Sequence, residues 1–149
     1  MKAKLLSAQG EKTFALVFDH GDEVVAGLTT FARREGLAAS HFTAIGAFSD
    51  VVLGYFDRQR REYARIPIPE QVEVLSLIGD VALRDGRPTL HAHVVVGKAD
   101  GTAHGGHLLE AHVWPTLELV LVESPRHLRR RWDEASGLAL IDLDAERAA

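Results

Sequence analysis

Five of the eight histidines in this 149-residue chain, His91, His93, His104, His107 and His112, fall within one short stretch. His91 and His93 are two apart inside an apolar run that reads as a β-strand. Alternate side chains of a strand share a face, so both imidazoles emerge together while Leu90, Ala92 and Val94 point the other way. Asp100-Gly101 is a hairpin signal that turns the segment beginning at His107 back alongside that strand. Three imidazoles gathered this way suit a divalent transition metal. Imidazole clusters suit zinc, copper, iron or nickel about equally, and zinc accepts three such ligands with a fourth position open. The same spacing also fits histidines that hydrogen-bond in a polar pocket or at a subunit interface, and the residues leave both readings open. His104, in the same loop, is a substitute ligand or an outer partner, whereas His112 is expected at the surface or an interface.

Other residues frame this cluster. Glu73, Glu110 and Glu118 lie in or beside strand patterns, where a buried glutamate near a metal orients a ligand histidine or acts as a general base. Alternation sets Glu73 opposite Val72 and Val74, which equally describes a solvent face. Arg87 is either an anion clamp or a solvated turn arginine. Ser124 and Pro125 read as the N-cap and first position of a short helix that sets Arg126, Arg129 and Arg130 on one face. With Arg58, Arg60 and Arg61, these are the candidate nucleic-acid contacts. Asp133 and Glu134 weaken that field, and a net charge of -4 with a pI near 6.0 weighs against unaided duplex binding. No P-loop, dinucleotide fingerprint or Ser-His-Asp order is present.

The elements that must hold these groups are mostly strands. Thr13 to Phe18 reads as one, followed by a helix with Asp22 as N-cap, an apolar stripe of Val24, Val25, Leu28, Phe31 and Ala32, and Gly36 at its end. Strands are expected at 41–47, 51–57 and 62–66, with Pro67 and Pro69 breaking the run. A long strand covers 71–84 with Gly79 marking a bulge or a bend, Asp85-Gly86 turns into the histidine strand, and 116–122 and 138–142 follow, the last at an edge. The expected fold is α+β: a single domain over 1–149, with a largely antiparallel central sheet, one main helix after the first strand and a short C-terminal helix. Its core spans about 13–123, with the C-terminal helix and tail at 124–149. A hydrophobic fraction of 46% supports a packed core, and the absence of cysteine excludes disulfides and thiolate metal sites. No apolar run approaches the roughly 18 residues of a membrane span, and the start lacks a signal-peptide pattern. A soluble, cytoplasmic protein without membrane contact is expected.

Several motifs occur together in a specific order: Glu73-Val74-Leu75-Ser76-Leu77, Asp85-Gly86-Arg87-Pro88, His91-x-His93 and Gly105-Gly106-His107-Leu108. With Ile45-Gly46-Ala47 and Gly54-Tyr55 upstream and Pro115-Thr116-Leu117-Glu118 downstream, the chain resembles the plant-and-prokaryote-conserved (PPC) domain from about Thr13 to Glu123. The resemblance implies a central antiparallel sheet, assembly as a homotrimer, and His91, His93 and His107 as a histidine cluster able to hold zinc. In plants the domain follows AT-hook segments of nuclear DNA-binding proteins. The resemblance therefore also implies a DNA-binding or regulatory role. This chain departs from the plant pattern, because an AT-hook needs Arg-Gly-Arg-Pro and position 85 is an aspartate. Two functions follow as expectations. One is a DNA-binding or regulatory protein with a histidine metal site; the other is a metal-dependent small-ligand-binding protein or hydrolase-like enzyme that uses the same pocket. Whether there is catalysis stays open at this point.

Overall fold

The computed structural model describes residues 1–7, 10–125 and 127–144. Among these, the strands are β1 (Lys2–Ser7), β2 (Lys12–Phe18), β3 (Ala39–Asp57), β4 (Glu62–Ile68), β5 (Val72–Arg84), β6 (Arg87–Gly97), β7 (Ala103–Glu123), β8 (Arg130–Asp133) and β9 (Leu138–Ile141). The helix α1 (Val24–Glu35) lies between β2 and β3. All ladders of the main sheet are antiparallel. The sheet closes on itself: β7 pairs with β3, β3 with β5, β5 with β6, and β6 with the start of β7. β2 and then β1 extend from the far half of β7, and β4 extends from the far half of β3.

The closed circuit encloses Phe42, Phe48, Leu53, Leu77, Val94, Val96, Leu117 and Leu119, all buried. α1 packs its buried Val24, Leu28, Phe31 and Ala32 on the sheet, with Phe31 meeting Phe14 edge-on at 5.2 Å. A single helix against this many strands makes the fold strand-dominated, more so than the expected α+β balance.

Several expectations are corrected by the structure. The strands at 41–47 and 51–57 are one, because the intervening Phe48 continues the buried pattern. Pro67 stays inside β4, an edge strand, where a missing N–H costs no ladder bond on the open side. The helix cap is Glu23, not Asp22: the Glu23 carboxylate accepts from the N–H groups of Val25 and Ala26. Asp22 instead accepts from the Asp19 N–H and pairs with the N-terminal amine. Gly79 marks no bulge. It sits in register opposite Phe42 and Ala92, and a β-carbon there would strike the Phe42 ring and come within 2.6 Å of the His91 carbonyl. The irregularity in β5 lies between Val74 and Ser76.

Among the described residues, no helix follows β7 where the short C-terminal one was expected. The Ser124 N–H donates to the Ala39 carbonyl, the Leu128 N–H to Ala38, and the Leu83 N–H to Leu128, all at 2.8 to 3.0 Å. Backbone partners beside the start of β3 and at the end of β5 tie down Ser124 and Leu128, and a helix too short to be stable by itself gives way to them. β8 and β9 then pair as a separate two-stranded sheet, so the strand expected at the C-terminus exists but lies off the main edge. No helix among the described residues is long and apolar enough to cross a membrane.

Where β3 bends over β7, Gly46 has φ +154, and a β-carbon there would overlap the Thr116 carbonyl and lie 2.8 Å from Leu117 Cα. Both neighbours are backbone and cannot swing aside. Gly46→Ala is therefore expected to destabilise the protein by at least roughly 1–3 kcal/mol. Urea unfolding beside Gly97→Ala, where the nearest atoms are the Leu75 side chain, measures the difference.

Candidate metal centre

β6 carries His91 and His93 on its outward face, while Ala92, Val94 and Val96 are buried beneath. The turn back is made at Asp100-Gly101, with Gly101 at φ +81 and the Lys98 N–H donating to the Thr102 carbonyl at 2.9 Å. It sets His93 directly opposite His107. Cross-strand partners share a face, so the third imidazole joins the first two. One nitrogen from each of His91, His93 and His107 lies within 4.8 Å of the others, and the Nε2 atoms of His91 and His93 are 3.2 Å apart.

Two further elements wall the cluster. Tyr63 of β4 stacks on the His107 ring, centroids 4.6 Å apart and planes at 25°. It reaches across β3 at Gly54, where a β-carbon would sit 2.9 Å from Tyr63 Cδ1. Behind His91 lies Asp80 of β5, its register partner, with Oδ2 3.6 Å from His91 Nδ1. Arg130, the first residue of β8, places Nη2 2.6 Å from Asp80 Oδ1 and 3.3 Å from His91 Nδ1, and its Nη1 donates to the Ala139 carbonyl. The Arg130 side chain is only 8% exposed.

The electrostatics favour neutral imidazoles at His93 and His107. Burial, reinforced by the neighbouring His91 and His93, pushes the His107 pKa down from 6.5 to about 4. Burial and then His91 lower that of His93. Burial alone would raise Asp80, but hydrogen bonds from His91 and Arg130 outweigh it and keep the carboxylate charged. Burial raises the Tyr63 pKa, so its hydroxyl stays neutral.

His107 Nδ1 is buried without a hydrogen-bond partner. A buried polar atom left unpaired costs about 1–3 kcal/mol. Neutral imidazoles with converging nitrogens and an unpaired buried nitrogen suit a divalent transition metal, which needs deprotonated nitrogen ligands. The residues present fit such an ion.

The other candidates lie elsewhere. Glu73 is exposed on the solvent side of β5. Glu118 is exposed between Val17 and Ile45 on the outer face. Arg87 stands opposite Arg84 in the β5–β6 hairpin and lines a shallow hollow with Arg33 and Pro88. His104, opposite Val96, is three residues from His107, an odd offset that turns it to the other face. Glu110 pairs with Arg65 at 3.1 Å. His112 pairs with Asp50 at 2.8 Å, a hydrogen bond that raises its pKa. Of the arginines expected to share a face, Arg126 falls outside the described residues, Arg129 bridges to Leu83, and Arg130 is buried behind His91. Sequence reasoning missed Asp80 and Tyr63 and misassigned Arg130. Asp80 faces His91 only through the β5–β6 register, and Arg130 arrives from 50 residues away.

Comparison with known proteins decides the family. The model of the Plants and Prokaryotes Conserved (PCC) domain matches residues 6–125. The chain belongs to that family. Among solved PCC-like structures, the metal-containing protein of Archaeoglobus fulgidus is 36% identical, with a TM-score of 0.81 over 95% of this chain and 99% of that one. A plant- and prokaryote-conserved protein of Pyrococcus horikoshii is 32% identical, with a TM-score of 0.82 over 95% and 94%. A candidate DNA-binding protein of Ralstonia eutropha is 29% identical, with a TM-score of 0.82 over 87% and 90%. The bifunctional protein GlmU of Synechococcus sp. (strain JA-3-3Ab) is 32% identical over 132 residues, which are 87% of this PCC chain but 20% of that relative.

The folded pKa of His107 lies below its ordinary value, so the unfolded chain binds a proton that the folded domain refuses. Stability from this residue is whole above pH 6.5 and is lost as pH falls through that value toward about 4. Melting temperature is expected to drop across this window in metal-free protein, with a shallower drop in His107→Gln. An equal slope in both would contradict the assignment.

Proposed function

We propose that this PCC domain holds a divalent transition metal, zinc foremost, on His91, His93 and His107, and binds a small ligand at the metal's open side. The observation that carries the reading is the convergence of one nitrogen from each of His91, His93 and His107, all within 4.8 Å of one another. The description of the A. fulgidus relative as metal-containing supports it. A metal on three imidazoles supplies an electrophilic site for an oxygen or nitrogen of a ligand. Room exists on both sides: a cavity of about 380 Å³ reaches from His91 and His93 to Phe42 and Ile78, and one of about 140 Å³ lies between His91, Tyr63 and Arg130. Glu73 and Glu118 stand away from the cluster, and Asp80 is engaged by Arg130 and His91. That arrangement offers no free general base, which favours binding over hydrolysis.

The same reading includes assembly as a homotrimer. Ile45 (63% exposed), Leu75, Ile78 and Val120 stand out on the sheet's outer face around a groove of about 500 Å³. Exposed aliphatic side chains in such a cluster favour covering by another surface, and further copies of this chain are the proposed cover. The descriptions of relatives as candidate DNA-binding proteins favour a second reading, direct DNA contact. The net charge of -4 and the burial of Arg130 count against it here.

Elemental analysis of untagged protein is expected to find about one metal per chain, lost in His91→Ala and His107→Ala; no metal after incubation with zinc would sink the reading. Sedimentation is expected to show a trimer, and Ile45→Asp with Ile78→Asp to release smaller species. A trimer unmoved by the double variant would remove this face from the interface. A gel shift at physiological salt is expected to show no sequence-selective DNA binding.

A further inference from the structure

Asp80 and Arg130 approach the same nitrogen of His91 from behind. Arg130 Nη2 is 3.3 Å from His91 Nδ1, and Asp80 Oδ2 is 3.6 Å from it. A guanidinium can only donate and a carboxylate can only accept, so the two neighbours demand opposite protonation of that nitrogen. A bare Nδ1 accepts from Arg130, and the ring proton then sits on Nε2, which faces His93 Nε2 at 3.2 Å. In this tautomer His91 joins His93 by a hydrogen bond and offers no lone pair to a metal. A protonated Nδ1 donates to Asp80, and Nε2 turns its lone pair into the cluster.

Resting on the metal reading above, we propose that Asp80 is the positioning residue that makes His91 a ligand, and that Arg130 competes with it for the same nitrogen. Asp80 has a second hold on the outcome, because its Oδ1 engages Arg130 Nη2 at 2.6 Å and draws the guanidinium toward the carboxylate. Arg130 comes from the β8–β9 sheet and is anchored there by the Ala139 carbonyl. The C-terminal sheet thereby touches the site through the tautomer of one histidine. Outer partners of ligand histidines act in this way in metal proteins generally, and losing one typically weakens metal binding by about 10–100-fold.

The test compares wild type, Asp80→Ala and the double variant Asp80→Ala with Arg130→Met, using zinc titration against a chelator and the ¹⁵N shifts of His91. In the wild type, zinc is expected to fix His91 with its proton on Nδ1. Asp80→Ala leaves Arg130 free to occupy that nitrogen, so metal binding is expected to weaken about 10–100-fold, with the ring proton on Nε2. The double variant removes the competing donor and is expected to regain part of the affinity, which a merely structural role for Asp80 would not produce. Equal affinity in wild type and Asp80→Ala, or a double variant no tighter than the single, would overturn the proposal while leaving the metal site standing. A wild type that takes up no zinc overturns the metal reading itself and this proposal with it.

Discussion

One register governs the site: His93 of β6 opposite His107 of β7. Side chains on a strand alternate between faces, so a slip of one residue would carry His107 from the outer face to the core face. The slip is blocked on both sides. Ala92, Val94 and Val96 are buried under β6, and Leu108, Ala111 and Val113 under β7, so a shifted pairing would turn apolar side chains to water. The Lys98–Thr102 turn fixes the same register from the end of the hairpin. The core that stabilises the fold and the alignment that gathers the histidines are one set of contacts.

The second constraint is desolvation without enclosure. The cluster lies on the outside of a closed sheet, yet His107 is covered well enough to hold its pKa near 4. The cover comes from Tyr63, whose ring can cross β3 because position 54 is glycine. On the other flank, the charged Asp80–Arg130 pair approaches His91. The cluster therefore lies between two walls of different character, Tyr63 against His107 on the β4 side and the ionic pair against His91 on the β8 side.

What was legible in the sequence follows from the range of the interactions. His91 and His93 declare a shared face through a period of two, and Asp100-Gly101 declares the turn that returns His107, so the triad could be read locally. Glu73 and Glu118 carry the same kind of local signal, but strand parity cannot say which face is covered, and both lie in solvent. Asp80 has meaning only once β5 is aligned with β6, and Tyr63 only once β4, β3 and β7 lie side by side. Arg130 shows the limit most plainly. Ser124 and Pro125 carry valid helix-start chemistry, yet the carbonyls of Ala39 and Ala38 accept the N–H groups of Ser124 and Leu128 and bind those residues to the start of β3 instead. A candidate nucleic-acid contact by sequence, Arg130 turns inward to Asp80.

Cobalt(II) titration of the metal-free protein, followed by its visible spectrum, tests most directly whether the three imidazoles act together on one ion. The account predicts intense bands of a low-coordinate nitrogen site, saturating at about one cobalt per chain and displaced by zinc, with the bands abolished in His93→Ala. A spectrum that stays that of the hydrated ion throughout, or bands that persist in His93→Ala, would contradict it.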